Sequence, residues 1–349
     1  MITNIRLQHF RSYDDASFEF ENTVNIIVGP NASGKTNLLE SILMVAQGNS
    51  FRAQPADMIA SGRPWARIDA DIQSVHRIVK IENQPPIVKK SFQIDGKDYQ
   101  RLGSRQQIPL VLFEPNHLLM LSGSPERRRL FADELIGQIT PGYGTTVRAY
   151  RRSLAQRNKL LKSGQPDDQL FVWDLRLSQL GSQMVVARQT LSQQLNQQLS
   201  DVYSSLVKKP TKLTIAYSYS GDPANYASLL LKKLAKDHQL DQQRGFTGAG
   251  PHREDLIFTL NDQALSSTAS RGENRTALLA LKIIELQLIE SARQQKPLLL
   301  LDDVFSELDG SRRKTLTQLM RDHQTFITTT DADIIATDFA QHAHVVPMG

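Results

Sequence analysis

The chain contains no cysteine among its 349 residues. Disulfides, thiolate metal sites and thiol nucleophiles are thereby excluded. No apolar run approaches the length of a membrane span, and no apolar stretch follows a basic N-terminal start. The expectation is a soluble cytoplasmic protein with no membrane partner. There is no internal repeat and no long disordered tract. What remains, 40% apolar and 22% charged, is ordinary for a globular protein. The length suits two domains, or one large domain with an insertion.

Acidic residues are slightly outnumbered, 36 against 41 Lys and Arg, a net charge of +5. They are scarcest between Arg127 and Lys162, where nine basic and two acidic residues give +7 and leave the rest of the chain at −2. A local basic field suits a polyanion such as nucleic acid. A solvated helical face produces the same pattern. Arg148, Arg151, Arg152, Arg157, Lys159 and Lys162 are the candidate phosphate-facing set, and positions 148, 151, 152 and 159 share much of one helical face.

The chemistry begins at Gly29-Pro30-Asn31-Ala32-Ser33-Gly34-Lys35-Thr36, which reads GxxxxGK[ST]. It lies between an apolar strand, Val24–Val28, and a helical run from Asn37, the strand–loop–helix setting of a phosphate-binding loop. Loop N–H groups and the helix N-terminus can cradle a triphosphate. In that role Lys35 reaches the β- and γ-phosphates and the Thr36 hydroxyl ligates Mg²⁺.

Short strands are expected over residues 2–28 and again over 65–102. From Pro125 to about Lys209 the period becomes helical. Leu175, Leu180, Met184, Ala187, Leu191, Leu195, Leu199 and Val202 outline an amphipathic helix of about 35 residues. A second helix is expected over Tyr226–Leu240. After Gly245 the chain returns to α/β character, with a helix from Thr276 to Arg293, a second over Ser311–Arg321 and a buried strand at Thr325–Thr329.

The apolar strand Leu298-Leu299-Leu300-Leu301 ends in Asp302-Asp303. Downstream of a phosphate loop, the first Asp holds Mg²⁺ and the second stands where a general base polarises water. Lys35 and Asp302 are 267 positions apart. One sheet built from both chain ends, with a helical lobe inserted, accounts for that span. The expected fold is therefore an α/β ABC-type P-loop ATPase head, split between residues 1–122 and 245–349, with a mainly helical lobe at 123–244.

Ser270-Arg271-Gly272-Glu273 precedes a helix and resembles the ABC signature, which acts in trans on a second subunit's γ-phosphate. Ser306-Glu307-Leu308-Asp309 resembles the D-loop. Alone, each is compatible with a cap or a turn. Their order and spacing relative to the phosphate loop and Asp302-Asp303 carry the assignment.

The whole chain resembles the RecF family of bacterial recombination-mediator ATPases. The likeness runs from Leu7-Gln8-His9-Phe10-Arg11-Ser12-Tyr13 through Phe51-Arg52, Phe113–Leu118 and Gly123–Arg129 to Gly250-Pro251-His252-Arg253-Glu254-Asp255-Leu256 and the Ser270–Asp309 motifs. It implies ATP and Mg²⁺ as cofactors, with Arg11 added to the nucleotide-binding set. It also implies an ATP-dependent homodimer that clamps duplex or gapped DNA with weak sequence preference. RecR and RecO would be partners, RecA would be loaded at gaps, and hydrolysis would be slow. Departures are Ala32 where Gly is usual, Glu273 where Gln is commoner, and Thr328-Thr329-Thr330-Asp331 where many ABC proteins carry a switch His. No clear Q-loop glutamine lies just before Pro115, and the acidic Glu114 nearby leaves that role unassigned. Alternatives are another SMC-like repair head, disfavoured by the missing heptad arms and hook; a transporter ATPase; and an ATPase–nuclease, which needs an added acidic domain not expected here.

Overall fold

We describe residues 1–163, 167–304, 310–330 and 343–348 of a computed structural model of the chain. The first half supplies β1 (Ile2–Phe10), β2 (Tyr13–Glu19), β3 (Val24–Val28), α1 (Lys35–Gln47), β4 (Trp65–Ile72), β5 (Val75–Gln84), β6 (Ile87–Ile94), β7 (Lys97–Tyr99) and β8 (Leu110–Phe113). The middle supplies α2 (Leu118–Ser122), α3 (Pro125–Ile139), α4 (Tyr143–Lys162), α5 (Asp167–Asn196), α6 (Leu199–Val207), β9 (Leu213–Tyr217), α7 (Tyr226–Lys236), α8 (His238–Arg244), β10 (Leu256–Leu260), β11 (Gln263–Ala264), α9 (Leu265–Thr268) and α10 (Arg271–Arg293). Then follow β12 (Leu298–Asp302), α11 (Gly310–Met320), β13 (Thr325–Thr329) and β14 (Ala343–Pro347).

The chain divides into two compact units, residues 1–115 with 285–349, and residues 116–284. In the first, a parallel sheet has the order β14-β3-β13-β12-β8, so both chain ends build it. β12 and β13 are buried at every residue, as continuous apolar strands covered on both faces require. An antiparallel sheet, β2-β1-β4-β5-β6-β7, alternates buried and more exposed positions along β4. Between the two sheets' apolar residues lies α1. Leu38, Leu39, Ile42, Leu43, Met44 and Val45 pack with Ile5 and Ile68 of one sheet and Ile27, Leu300 and Phe326 of the other. A helix buried nearly all round is apolar nearly all round, and α1 departs from that rule at Glu40 and Ser41, both fully buried.

The second unit packs helices against the short sheet β11-β10-β9. Register pairs Leu256–Leu260 with Leu213–Tyr217. That pairing places residues after Gly245 with the inserted lobe, so the return point lies later than the 244/245 division drawn from the sequence. Its first junction, at 115/116, also lies earlier than 122/123. The expected 35-residue helix is two helices. The chain breaks at Gln198, whose φ of −129° and ψ of −14° leave helical geometry. Likewise the 226–240 helix breaks at Asp237 between α7 and α8. No described helix is long and apolar enough to cross a membrane.

Candidate functional site

The parallel sheet sets the geometry. β3, β13 and β12 are adjacent, and Asp302 lies level with Thr328, which lies level with Ile27. The loop after β3 and the ends of β12 and β13 therefore open on the carboxyl edge of one sheet, where open α/β sheets bind ligands. Thr36 Oγ1 donates to Asp302 Oδ1 at 2.9 Å, and Thr328 Oγ1 donates to the same oxygen at 2.8 Å. The Asp303 backbone N–H donates to Thr328 Oγ1 at 2.9 Å. One threonine hydroxyl thus holds both aspartates in place. The sequence reading did not assign Thr328 a role, although a hydroxyl at the end of a buried strand signals one. Asp302 is buried while Asp303 is exposed, at a left-handed φ of 51°.

The loop itself is tightly built. A Cβ at Gly29 would lie 2.8 Å from Met348 and from Ser33 Oγ. Gly34 has φ +99°, and a Cβ there would meet the Tyr13 hydroxyl at 2.7 Å. That hydroxyl donates to the Gly34 carbonyl at 3.0 Å. Lys35 Nζ donates to the Gly29 and Pro30 carbonyls at 2.7 and 2.8 Å. Ser33 Oγ is buried with no hydrogen-bond partner. Pro30, Asn31 and Ala32 are exposed, and Ala32 takes a φ of 67°.

Beside the loop, Arg11 makes a two-pronged pair with the Glu40 carboxylate at 2.9 and 3.0 Å. Arg52 reaches the same carboxylate at 3.2 Å. Burial pushes the Glu40 carboxyl up, but Arg11, Ser50 and Arg52 outweigh it and hold it below the usual carboxylate range. Arg11, Ser12, Asn37, Arg52, Ala53, Asp57, Ile59 and Ser61 line a cleft of about 620 Å³. Arg11 belongs to the expected nucleotide-binding set, Arg52 lies in a family-like segment with no expected role, and Glu40 stands outside the expected site. Glu40's signal is a lone carboxylate in the helical run Leu38–Ala46, which is otherwise apolar except for Ser41.

In the second unit, Ser270 caps α10. The Glu273 N–H donates to Ser270 Oγ at 3.2 Å, and the Glu273 carboxylate accepts from the Ser270 N–H and hydroxyl, each at 2.8 Å. This reciprocal capping box holds the Glu273 carboxyl below its ordinary range through those two bonds. Ser270, Arg271 and Glu273 are exposed and Gly272 is half-buried. The D-loop residues Ser306, Glu307, Leu308 and Asp309, and Asp331, lie outside the described residues.

The basic set sorts by helical face. Arg148, Arg151, Arg152, Lys159 and Lys162 are exposed along α4. Arg157 is corrected: it is fully buried, paired with Asp174 and with Asp241 at 2.7 Å, and it also donates to Thr247 Oγ1 at 2.9 Å. At about 100° per residue, position 157 falls opposite 148 on the helix. The Gly250–Asp255 segment is likewise engaged internally. Arg128 forks onto Asp255, Arg188 donates to the Pro251 carbonyl, and the Tyr217 and Tyr226 hydroxyls both donate to Glu254.

A family model described as the RecF/RecN/SMC N terminal domain matches residues 1–345. The DNA replication and repair protein RecF of Ruminiclostridium cellulolyticum is 33% identical over 355 residues, covering 95% of this chain and 93% of that protein. RecF of Bacillus subtilis is 32% identical over 346 residues, covering 95% and 94%. Among solved structures, the recombination mediator protein RecF-ATPrS of the RecFOR pathway superposes with a TM-score of 0.85 at 28% identity, over 95% of this chain and 92% of that one. Its ATP form gives 0.84 at the same identity and coverage. An Smc head bound to the C-winged helix domain of ScpA shares the fold at a TM-score of 0.54 and 15% identity, over 97% of this chain and 91% of that one.

Proposed function

We propose an ATP-gated, DNA-binding role in replication and repair for this chain, which belongs to the RecF/RecN/SMC N-terminal domain family and, within it, to RecF. The observation that carries the reading is the hydrogen-bonded row Thr36–Asp302–Thr328–Asp303 at the mouth of the phosphate loop. The donor set fits a nucleoside triphosphate. Ser33 Oγ is buried without a partner, and Lys35 rests on two loop carbonyls that a phosphate would replace. Thr36 and Asp302 would hold Mg²⁺. Two protein ligands suit that ion, which completes its shell with water and phosphate. Asp303 would polarise the attacking water. Bound ATP supplies the charge that bridges two copies and the phosphoanhydride whose hydrolysis separates them. Ser270 of one copy would complete the site of the other. Slow turnover fits a site whose strand β13 ends in threonines where a switch histidine is common.

The exposed basic face of α4 would hold duplex or gapped DNA through phosphates, with weak sequence preference and steep salt dependence. The RecFOR pathway of the solved relatives supports RecO- and RecR-like partners, and the family resemblance alone adds RecA downstream. The alternative, the head of another SMC-like repair ATPase, would carry long heptad arms, whereas the longest described helix, α5, has 30 residues. Sedimentation with and without ATP, Mg²⁺ and duplex DNA tests the reading. The expected result is monomers without ATP, and dimers that retain DNA uncleaved with it. A monomer at saturating ATP and DNA overturns the gated clamp.

A further inference from the structure

We propose that Glu40 is a positioning residue of the nucleotide site, holding Arg11 and Arg52 as a pair of cations at the cleft that receives the nucleoside end of the ligand. The proposal rests on the reading that the phosphate loop binds ATP. An ionised carboxylate with no solvent exposure is tolerated only when its oxygens are paired. Glu40 meets that condition with four donors. Oε2 accepts from Arg11 Nε at 2.9 Å and an Arg52 terminal nitrogen at 3.2 Å, while Oε1 accepts from an Arg11 terminal nitrogen at 3.0 Å and from Ser50 Oγ. One negative charge serves two guanidinium groups, so the Glu40–Arg11–Arg52 cluster is itself net positive, and the Asp57 carboxylate in the cleft lining offsets that charge.

The carboxylate also ties two separate loops to α1. The first carries Arg11, whose φ of 54° follows His9 at 50°. Two left-handed non-glycine residues so close together persist only where their surroundings hold them. Arg11 is held through Glu40 and through a 2.8 Å bond to the Asp57 carbonyl. The second loop is gathered by Ser50, whose Oγ donates to Glu40 and accepts from the Arg52 and Ala53 N–H groups, each at 3.0 Å. Asn37, one turn before Glu40, completes the tie: its amide accepts from Arg52 at 2.5 Å and donates to Ser12 Oγ at 2.8 Å.

The position of the cleft assigns the ligand end. Asn37 lines the cleft and directly follows Thr36, whose hydroxyl points to Asp302 instead. Ser12 lines the cleft and borders Gly34. The cleft therefore continues the phosphate loop away from the aspartates. The cleft, about 620 Å³, is open to solvent, and a guanidinium plane can stack on a base or fork onto oxygen. The acid in the lining, Asp57, accepts from the Gln54 N–H at 3.1 Å, a bond that leaves its charge in place, so the guanidinium pair would serve the nucleoside by stacking and directed hydrogen bonds and not by net charge.

The experiment compares Mg²⁺-dependent binding of ATP with that of inorganic pyrophosphate, which needs the loop but has no nucleoside. Full-length wild type, Glu40→Gln and Arg52→Gln are measured by calorimetry or by displacement of a fluorescent ATP analogue, and each melting temperature is recorded without ligand. Both variants should weaken ATP about tenfold, the effect of removing one charge-assisted hydrogen bond, and leave pyrophosphate within about twofold. Arg52→Gln should fold and melt below the wild type by only a few degrees, because Arg11 and Ser50 still pair Glu40. Equal weakening of ATP and pyrophosphate would mean general damage to the loop, and unchanged ATP affinity in either variant would mean the pair does not meet the ligand; both overturn the proposal. If Glu40→Gln does not fold, Arg52→Gln alone decides. Failure of wild type to bind either ligand would instead overturn the ATP reading beneath it.

Discussion

Ala32 is the residue at which the phosphate loop departs most from the ordinary pattern, and its backbone shows the consequence. A φ of 67° in a non-glycine residue costs about 1–2 kcal/mol. Glycine removes that cost but gives back about 0.5–1 kcal/mol in unfolded-chain entropy. Ala32→Gly should therefore stabilise the ligand-ready loop slightly and tighten ATP a few-fold, read by calorimetry; weaker binding would show that the methyl makes a contact of its own. His252 offers a second test. Its Nδ1 shares a 2.8 Å hydrogen bond with the Tyr150 hydroxyl and its Nε2 a 3.1 Å bond with the Thr247 carbonyl. Burial first, then Arg253 and Arg129, push its pKa down to about 4 from 6.5, against the pull of Thr247 and Asp241. The folded ring stays neutral while the unfolded one takes up a proton. Its stabilising effect is therefore complete above pH 6.5 and fades as pH falls toward 4. His252→Gln should lower the urea midpoint at pH 7, and the gap from wild type should narrow by about pH 4.5. A gap independent of pH would mean the ring is not held neutral.

The two faces of α4 do different work at the scale of the element. Arg148, Arg151, Arg152, Lys159 and Lys162 are exposed, while Tyr143, Val147, Tyr150, Ser153, Arg157 and Leu161 are buried. Arg148→Glu, Arg152→Glu and Lys159→Glu together should weaken duplex binding for all sequences alike and reduce the log–log salt slope by roughly one for each phosphate no longer neutralised. ATP affinity should hold. Unaltered affinity and slope would move DNA away from this helix. Arg157→Leu should act otherwise. It strands the buried Asp174 and Asp241 carboxylates and should destabilise by about 3–5 kcal/mol, measured by denaturant unfolding. A variant as stable as wild type would mean those acids find other partners. A count of positive charge could not separate Arg157 from its neighbours, because the buried acids that claim it lie 17 and 84 positions away. The strand Val24–Val28 and the apolar run ending at Asp302 were readable residue for residue, since the first is buried at all but its last position and the second throughout. The break at Gln198 was not, since Leu195, Leu199 and Val202 continue the helical spacing across it.

At the scale of the whole molecule, motif order was sufficient to read a head assembled from both chain ends. The later return point was hidden because the β9–β10 pairing joins residues about forty positions apart by backbone bonds that leave no side-chain pattern. The remaining question concerns two molecules. In the proposed dimer each composite site takes Lys35 from one copy and Ser270 from the other. Ser270 Oγ now donates to Glu273 in an exposed bond that a γ-phosphate in trans would have to replace. Lys35→Ala and Ser270→Arg should each keep a folded protein and each fail to dimerise with ATP, because both sites of either homodimer are broken. Mixed in equal amounts, they can form a heterodimer in which Lys35 of the Ser270→Arg copy meets Ser270 of the Lys35→Ala copy, leaving one site whole and the other doubly broken. If Ser270 served its own copy's nucleotide, the same mixture would contain no whole site at all. Sedimentation with ATP and Mg²⁺ should therefore show dimers in the mixture and in neither variant alone. ATP-driven dimers of Ser270→Arg protein by itself would reduce Ser270–Glu273 to a helix cap.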